Sequence, residues 1–267
     1  MLAFIQSGLR SGMRGRSFQA VFVFGLLLIG VAYLSANFSP RHPRTVALDI
    51  GFSGIRFTLI LLNLFWIQEL LAKEIERKTI LHSFAYPLAR SGFVLGRYFS
   101  VLALGCLATL VLGLSLLTAV ALASAHYSQE FPVNLGAPYV LTLIGLWLDA
   151  AVVASVALAV SAVSTVTIMP LAIGVAFAIG GKALGATIAY LARGADGDSQ
   201  LTARFDPLID MVRWLILDLS RLDWRLWPMY DTPIPATDIM LPALLALAYI
   251  ALLLMVGAYS FSRREFS

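Results

Sequence analysis

Residues 73–97 read KEIERKTILHSFAYPLARSGFVLGR, the one long polar interruption between two apolar segments in the first half of the chain. The stretch holds Lys73, Arg77, Lys78, Arg90 and Arg97, five of the 19 lysines and arginines. A charged segment of helical spacing between apolar runs is a poor partner for lipid. It belongs in water at one membrane face, where a second protein can reach it.

Composition puts a membrane around that stretch. Hydrophobic residues make up 60% of the 267 residues and charged residues only 13%, against about 25% charged in a soluble domain. Apolar runs of this length and number cannot all be wrapped inside one soluble core. At about 20 apolar residues per crossing, six spans are expected, at residues 18–38, 55–72, 93–123, 139–160, 166–188 and 241–261. The expected fold class is an all-α membrane protein, one transmembrane domain over residues 1–267. The third run is longer than a bilayer needs and should tilt or project beyond it. Cys106, the single cysteine, excludes an intrachain disulfide and a cysteine metal cluster.

The basic residues orient the bundle. With the amino terminus inside, Arg10, Arg14, Arg16, Lys73, Arg77, Lys78, Arg90, Arg97, Arg263 and Arg264 all fall on the cytoplasmic side. The first outer loop receives Arg41 and Arg44, and the long segment before the last span carries five arginines beside eight aspartates. Short-loop charge sets topology, so both termini are expected in the cytoplasm. The pI of 9.4 then reflects topology, and no nucleic-acid partner is expected. Ahead of the first span, Leu2, Ile5, Leu9 and Met13 recur at helical spacing while Gln6, Arg10 and Arg14 fall on another face. Residues 1–17 should therefore form an amphipathic helix lying in the interface. The first span lacks a clear A-x-A cleavage site and is read as retained rather than as a signal peptide.

Within the opening stretch, Ile80, Leu81, Phe84, Ala85 and Leu88 gather on one helical face. Pro87 should end or bend that helix, because it lacks an amide hydrogen and crowds the preceding turn. The product is a short amphipathic helix held between two membrane helices. This order of residues resembles the six-span permease subunits of ABC-2 type transporters. The resemblance lies in Glu74 and Glu76, Thr79, Leu81 with Phe84, Pro87, Arg90, and Gly96 with Arg97. Lys78 stands where those permeases often have glycine, which affects only the local turn. The basic helix before span one, the short link at 161–165, the long segment before span six and the closing FSRREF also look like these permeases.

The resemblance implies that residues 73–91 are a cytoplasmic coupling segment in which Glu74, Glu76, Thr79, Leu81, Phe84, Pro87 and Arg90 meet a separate ATPase subunit. It further implies two such subunits, a second permease copy or homologous permease, and a bacterial inner-membrane location. Export of a substrate is the expected function. The alternative is a membrane subunit that passes mechanical work to a periplasmic or membrane partner without moving cargo. The chain has no G-x-x-x-x-G-K-[ST]; around Gly181 and Lys182, Ala176 and Ala183 stand at the decisive positions. Neither an HExxH nor a GxSxG motif occurs in the cytoplasmic loops. The chain is therefore expected not to be an enzyme and to hold no cofactor or metal, with ATP and Mg bound by the partner. His42, His82 and His126 fall in different loops, which argues against a three-histidine metal site.

Charges inside apolar runs are functional candidates. Arg56 and Lys182 lie near the outer ends of their spans and are expected to snorkel to headgroups. Glu69, four residues before Lys73, suits a helical ion pair. Asp149 falls near mid-membrane, about 16 Å of helix rise into span four, and cannot snorkel. It is expected either to make a buried hydrogen bond to a serine, a threonine or Asn63, or to line a pathway or act as a latch. Between residues 191 and 238, Leu208, Val212, Leu215, Leu219 and Leu222 favour an amphipathic outer helix, while Trp214, Trp224 and Trp227 suit a membrane boundary. Gly92 with Gly96 and Gly181 with Gly185 give two GxxxG spacings, weak signs of a helix seam.

Overall fold

A computed structural model describes residues 6, 8, 9, 12, 13, 15–39, 41–72, 90–123, 132–164, 166–192 and 218–263. In chain order the elements are α1 (Arg16–Asn37), α2 (Pro43–Ile67), a π-helical turn (Gln68–Ala72), α3 (Arg90–Ala123), α4 (Ala137–Val163), α5 (Met169–Ala192), a 3-10 turn (Leu219–Leu222), α6 (Leu226–Tyr230) and α7 (Ala236–Ser262). No strand occurs among the described residues. Five helices are long and apolar enough to cross a membrane: α1, α2 with its π turn, α3, α4 and α7. A sixth, α5, has 24 residues, with its apolar part in the shorter Met169–Gly185. The expected six runs are thus all helical, and five to six can span. At 34 residues, α3 is about 51 Å long, well beyond the hydrocarbon thickness, as the length of its apolar run predicted.

One boundary differs widely. The second span was expected from residue 55, yet α2 begins at Pro43. Proline at the first helical position has its φ preset and no amide to satisfy, and the twelve residues that follow hold Arg44, Asp49 and Ser53, whose polarity hid the helix from a hydropathy count. The link between α4 and α5 also lies later than expected: Ser161 is helical, and Ser164, whose Oγ accepts the Val166 amide at 3.0 Å, leads the turn.

The bundle has a centre and a skin. Within their apolar windows α2 and α4 are 67% and 72% buried, whereas α1 and α7 are only 22% buried. Central α4 runs through Ala150, Ala151, Val152, Val153, Ala154 and Ala157, all buried; such small side chains let neighbouring helices close in. Three buried or half-buried donors stitch α4 to α3: Tyr98 Oη to the Ala151 carbonyl at 3.0 Å, Trp147 Nε1 to Leu102 at 3.1 Å and Tyr139 Oη to Gly113 at 2.6 Å. On the skin, Leu26, Leu27 and Leu34 of α1 and Leu244, Leu247, Leu252 and Met255 of α7 stay exposed. An exposed apolar face on that scale suits lipid rather than water. The chain is a multi-pass membrane protein.

At the amino terminus, Gln6, Gly8, Leu9, Gly12 and Met13 are helical. Against the bundle this segment presents a glycine. Gly12 is buried, its carbonyl accepts Trp66 Nε1 at 3.4 Å, and a β-carbon there would meet Leu104 of α3. Leu9 packs partly against the core and Met13 is exposed; Leu2, Ile5, Arg10 and Arg14 lie outside the described residues.

Candidate functional site

Because α2 starts at Pro43, its first turns place Asp49, Ser53 and Arg56 at i, i+4 and i+7, on one stripe. The side chain of Arg56 does not reach out to headgroups. Arg56 is only 4% exposed, because acidic partners inside the protein hold its guanidinium.

Those partners come from two places. From α4, Asp149, 1% exposed, sets Oδ2 at 2.6 Å from Arg56 Nε. The buried partner of Asp149 is therefore a guanidinium, not a serine, a threonine or Asn63, whose own side-chain atoms have no hydrogen-bond partner. The second acid, Asp223, arrives on the segment before α7. There Asp218 caps the 3-10 turn, accepting the Ser220 amide at 2.9 Å and the Ser220 hydroxyl at 2.6 Å. From Asp218 onward the helical spacing expected through Leu222 gives way to this capped turn, since the extended backbone of Asp218 cannot continue an α-helix.

The turn is seated directly on the bundle. A β-carbon at Gly185 of α5 would strike Ser220, and one at Gly145 of α4 would strike the Leu222 carbonyl. Gly185 thus serves a contact within the chain, whereas Gly92, the start of the other GxxxG spacing, faces open space. Trp224 is buried in the core rather than at a boundary, and its carbonyl lies 3.2 Å from Thr142 Oγ1. The far end of the segment is tied as well: Asn134 donates from its backbone amide to Pro228 at 2.9 Å and from Nδ2 to Asp231 at 2.8 Å. Asp231 has φ 49°, a left-handed conformation that aspartate tolerates better than most residues.

Seated this way, Asp223 completes a network. Its Oδ2 lies 3.3 Å from Arg56 Nη1, 3.5 Å from Lys182 Nζ on α5 and 2.7 Å from Arg225 Nη2. Arg225 grips both Asp223 oxygens, with Nε to Oδ1 also at 2.7 Å. Its Nη1 then bridges back to α2, reaching Asp49 Oδ1 at 3.0 Å and Ser53 Oγ at 2.8 Å. Burial opposes the charge on Arg225, but the hydrogen bonds and charges of Asp223 and Asp49 outweigh it and hold the guanidinium above its ordinary pKa. Three acids and three bases from α2, α4, α5 and the 218–225 segment are thereby locked together. Mutual pairing is what permits such charges in a low-dielectric interior.

Of the residues picked out from sequence, Asp149 stands at the inner end of this network. Arg90 opens α3. Glu74, Glu76, Thr79, Leu81, Phe84 and Pro87 lie outside the described residues, as does Lys73, the expected partner of Glu69. Sequence reading missed Asp49, Asp223 and Arg225, and assigned Arg56 and Lys182 to lipid headgroups. The i, i+4, i+7 spacing of Asp49, Ser53 and Arg56 behind a proline was the available signal. No group of metal-ligating side chains occurs among the described residues.

The network end and the 73–89 end are opposite ends of α2, since Asp49 and Arg56 fall in its first four turns and the π turn closes at Ala72. No curated protein matches the chain. A family model described as ABC-2 family transporter protein matches residues 56–266, a range that takes in Arg56, Asp149, Lys182, Asp223, Arg225 and every helix from α3 onward. The chain belongs to the ABC-2 family of transporter proteins and is a membrane permease component of an ABC transporter.

Proposed function

We propose that this permease is the membrane half of an ATP-driven exporter in the bacterial inner membrane. Residues 73–91 form its cytoplasmic coupling segment, which meets one ATPase subunit through Glu74, Glu76, Thr79, Leu81, Phe84, Pro87 and Arg90, and the complex holds two such subunits. The chain itself hydrolyses nothing; ATP and Mg belong to the ATPases. A second permease copy or a homologous permease completes the path, both termini face the cytoplasm, and residues 191–238 face outward.

The observation that carries this reading is the placement of the charge network. It ties a non-spanning segment to α2, α4 and α5 at the end of α2 opposite the coupling segment. Force delivered at residues 73–91 travels along α2, a single helix of 25 residues, to the stripe that holds the outer segment. Asp149 acts as the latch: a displacement of α2 against α4 breaks the Arg56–Asp149 pair and moves the α2 stripe that holds Asp223 and Arg225. Ion pairs between packed helices have discrete made and broken states, which suits switching between access states.

Co-purification tests the assignment. The permease is expressed with its ATPase, and charge reversals at Glu74 and Glu76 or proline at Leu81 should abolish ATPase retention while the permease still elutes as a folded species. Unchanged retention in folded variants would remove the coupling assignment.

A further inference from the structure

One oxygen, Asp223 Oδ2, collects three cations from three separate elements: Arg56 of α2 at 3.3 Å, Lys182 of α5 at 3.5 Å and Arg225 of its own segment at 2.7 Å. These cations are not equally provided for. Arg56 has Asp149 as a second acid and Arg225 has Asp49, whereas Asp223 is the one acid that Lys182 pairs with among the described residues. Asp223 does not exhaust Arg56 either, because the buried Nη2 of that guanidinium has no hydrogen-bond partner. Removing the 218–225 segment would leave the Arg56 and Lys182 cations facing the position vacated by Asp223, with Asp149 behind Arg56 and Asp49 released from Arg225.

We propose that Arg56 and Lys182 form an anion-binding site that Asp223 fills as a tethered stand-in, and that its ligand is the anionic headgroup of an amphiphile. The inference rests on the permease reading, in which the α2 stripe that holds the outer segment moves during transport. The geometry favours an amphiphile over a free anion because Lys182 borders exposed apolar surface on α5. The Lys182 side chain is 39% exposed, and Ile179, one turn before it on the same face of α5, is 66% exposed. A headgroup seated between Arg56 and Lys182 would leave its chain against this apolar surface. Arg56 supplies a fork that suits phosphate or carboxylate, and Lys182 a mobile point charge. An internal carboxylate competes at the high effective concentration of a tethered group, so the site stays closed to weak anions while the segment is seated.

The test is titration of the purified full chain in an uncharged detergent with dodecyl phosphate, with dodecylphosphocholine as the charge-neutral comparison, read as adduct occupancy by native mass spectrometry. Asp223→Asn should bind dodecyl phosphate about tenfold more tightly than the unaltered chain, because the tethered competitor is gone. Adding Lys182→Gln should abolish that gain, and dodecylphosphocholine should not distinguish the variants. A gain below about twofold, or an equal gain for dodecylphosphocholine, overturns the anion site. Complete displacement of dodecyl phosphate by inorganic phosphate at equal concentration overturns the amphiphile. Should Asp223→Asn not be recovered folded, Lys182→Gln alone decides: weaker dodecyl phosphate binding supports the site and unchanged binding overturns it. These readouts need no ATPase, so their failure leaves the co-purification result standing on its own.

Discussion

Arg56 and Asp149 meet across the α2–α4 seam, Nε to Oδ2 at 2.6 Å, with side chains only 5% and 2% exposed. Two charges that deep cannot be independent. The field of each makes the other tolerable, and Asp149 has no other cation beside it in the network.

Arg56→Leu should destabilise the detergent-solubilised protein by about 3–5 kcal/mol, since it strands buried Asp149, and Asp149→Leu should cost less, since Asp223 still pairs with Arg56. The double replacement should be milder than Arg56→Leu alone, because it removes both charges of the pair and leaves apolar volume in an apolar seam. Thermal unfolding followed by size-exclusion recovery checks this. An additive double mutant would show that the two residues are not coupled.

Asp149→Asn keeps the shape and removes the charge. Folding and assembly should survive, since an amide can still face Arg56, while transport driven by the partner ATPase should fall. Intact transport together with intact assembly would exclude Asp149 from the latch.

Gly185→Leu should unseat the 3-10 turn, because even a β-carbon at that position strikes Ser220. A cost of about 1–3 kcal/mol is expected from overpacking, along with faster hydrogen exchange across residues 218–230. Gly92→Leu is the matched control, as that position faces open space, and it should change neither.

Asp49→Asn should cost less than about 1 kcal/mol, because its side chain is 54% exposed and the pair with Arg225 is screened. Arg225→Ala should cost more, since it removes the two bonds to Asp223 as well as those to Asp49 and Ser53. Raising salt should narrow the Asp49 effect and leave the Arg56–Asp149 coupling almost unchanged. Parallel melting curves at low and high ionic strength check both.

Trp66→Phe should loosen the amino-terminal segment without harming the bundle. It deletes the indole bond to the Gly12 carbonyl, worth about 1 kcal/mol, and keeps most of the apolar contact. Limited proteolysis should then cut ahead of α1 more readily.

Hydropathy made the helices legible because each apolar run is long and nearly free of charge. It failed at α2 for a physical reason: Asp49, Ser53 and Arg56 are polar, but they spend that polarity on Arg225, Asp223 and Asp149 rather than on water. Asp149 could be singled out because no side chain that short reaches an interface from mid-span. Its partner could not, since a long arginine near a span end has two outlets, lipid headgroup or protein, and only the packing of α4 against α2 decides between them. Trp224 misled in the same way, its ring being taken into the core where Gly145 lets the segment approach. The glycine face of the amino-terminal helix was hidden by its smoothness, for a residue without a side chain leaves no mark on an amphipathic pattern.

The composition of the network bears on energetics beyond packing. Asp223 and Arg225 sit two residues apart on the segment, and Arg56 and Asp149 stay with the spans. Lifting residues 218–225 away carries Asp218, Arg221, Asp223 and Arg225 out, two acids with two bases, and leaves Arg56 and Lys182 behind with Asp149 and Asp49. One unbalanced elementary charge crossing the full membrane potential would add about 2.3 kcal/mol per 100 mV. A parting that moves none is blind to that voltage, so the segment would part from the spans as readily in an energised cell as in a depolarised one.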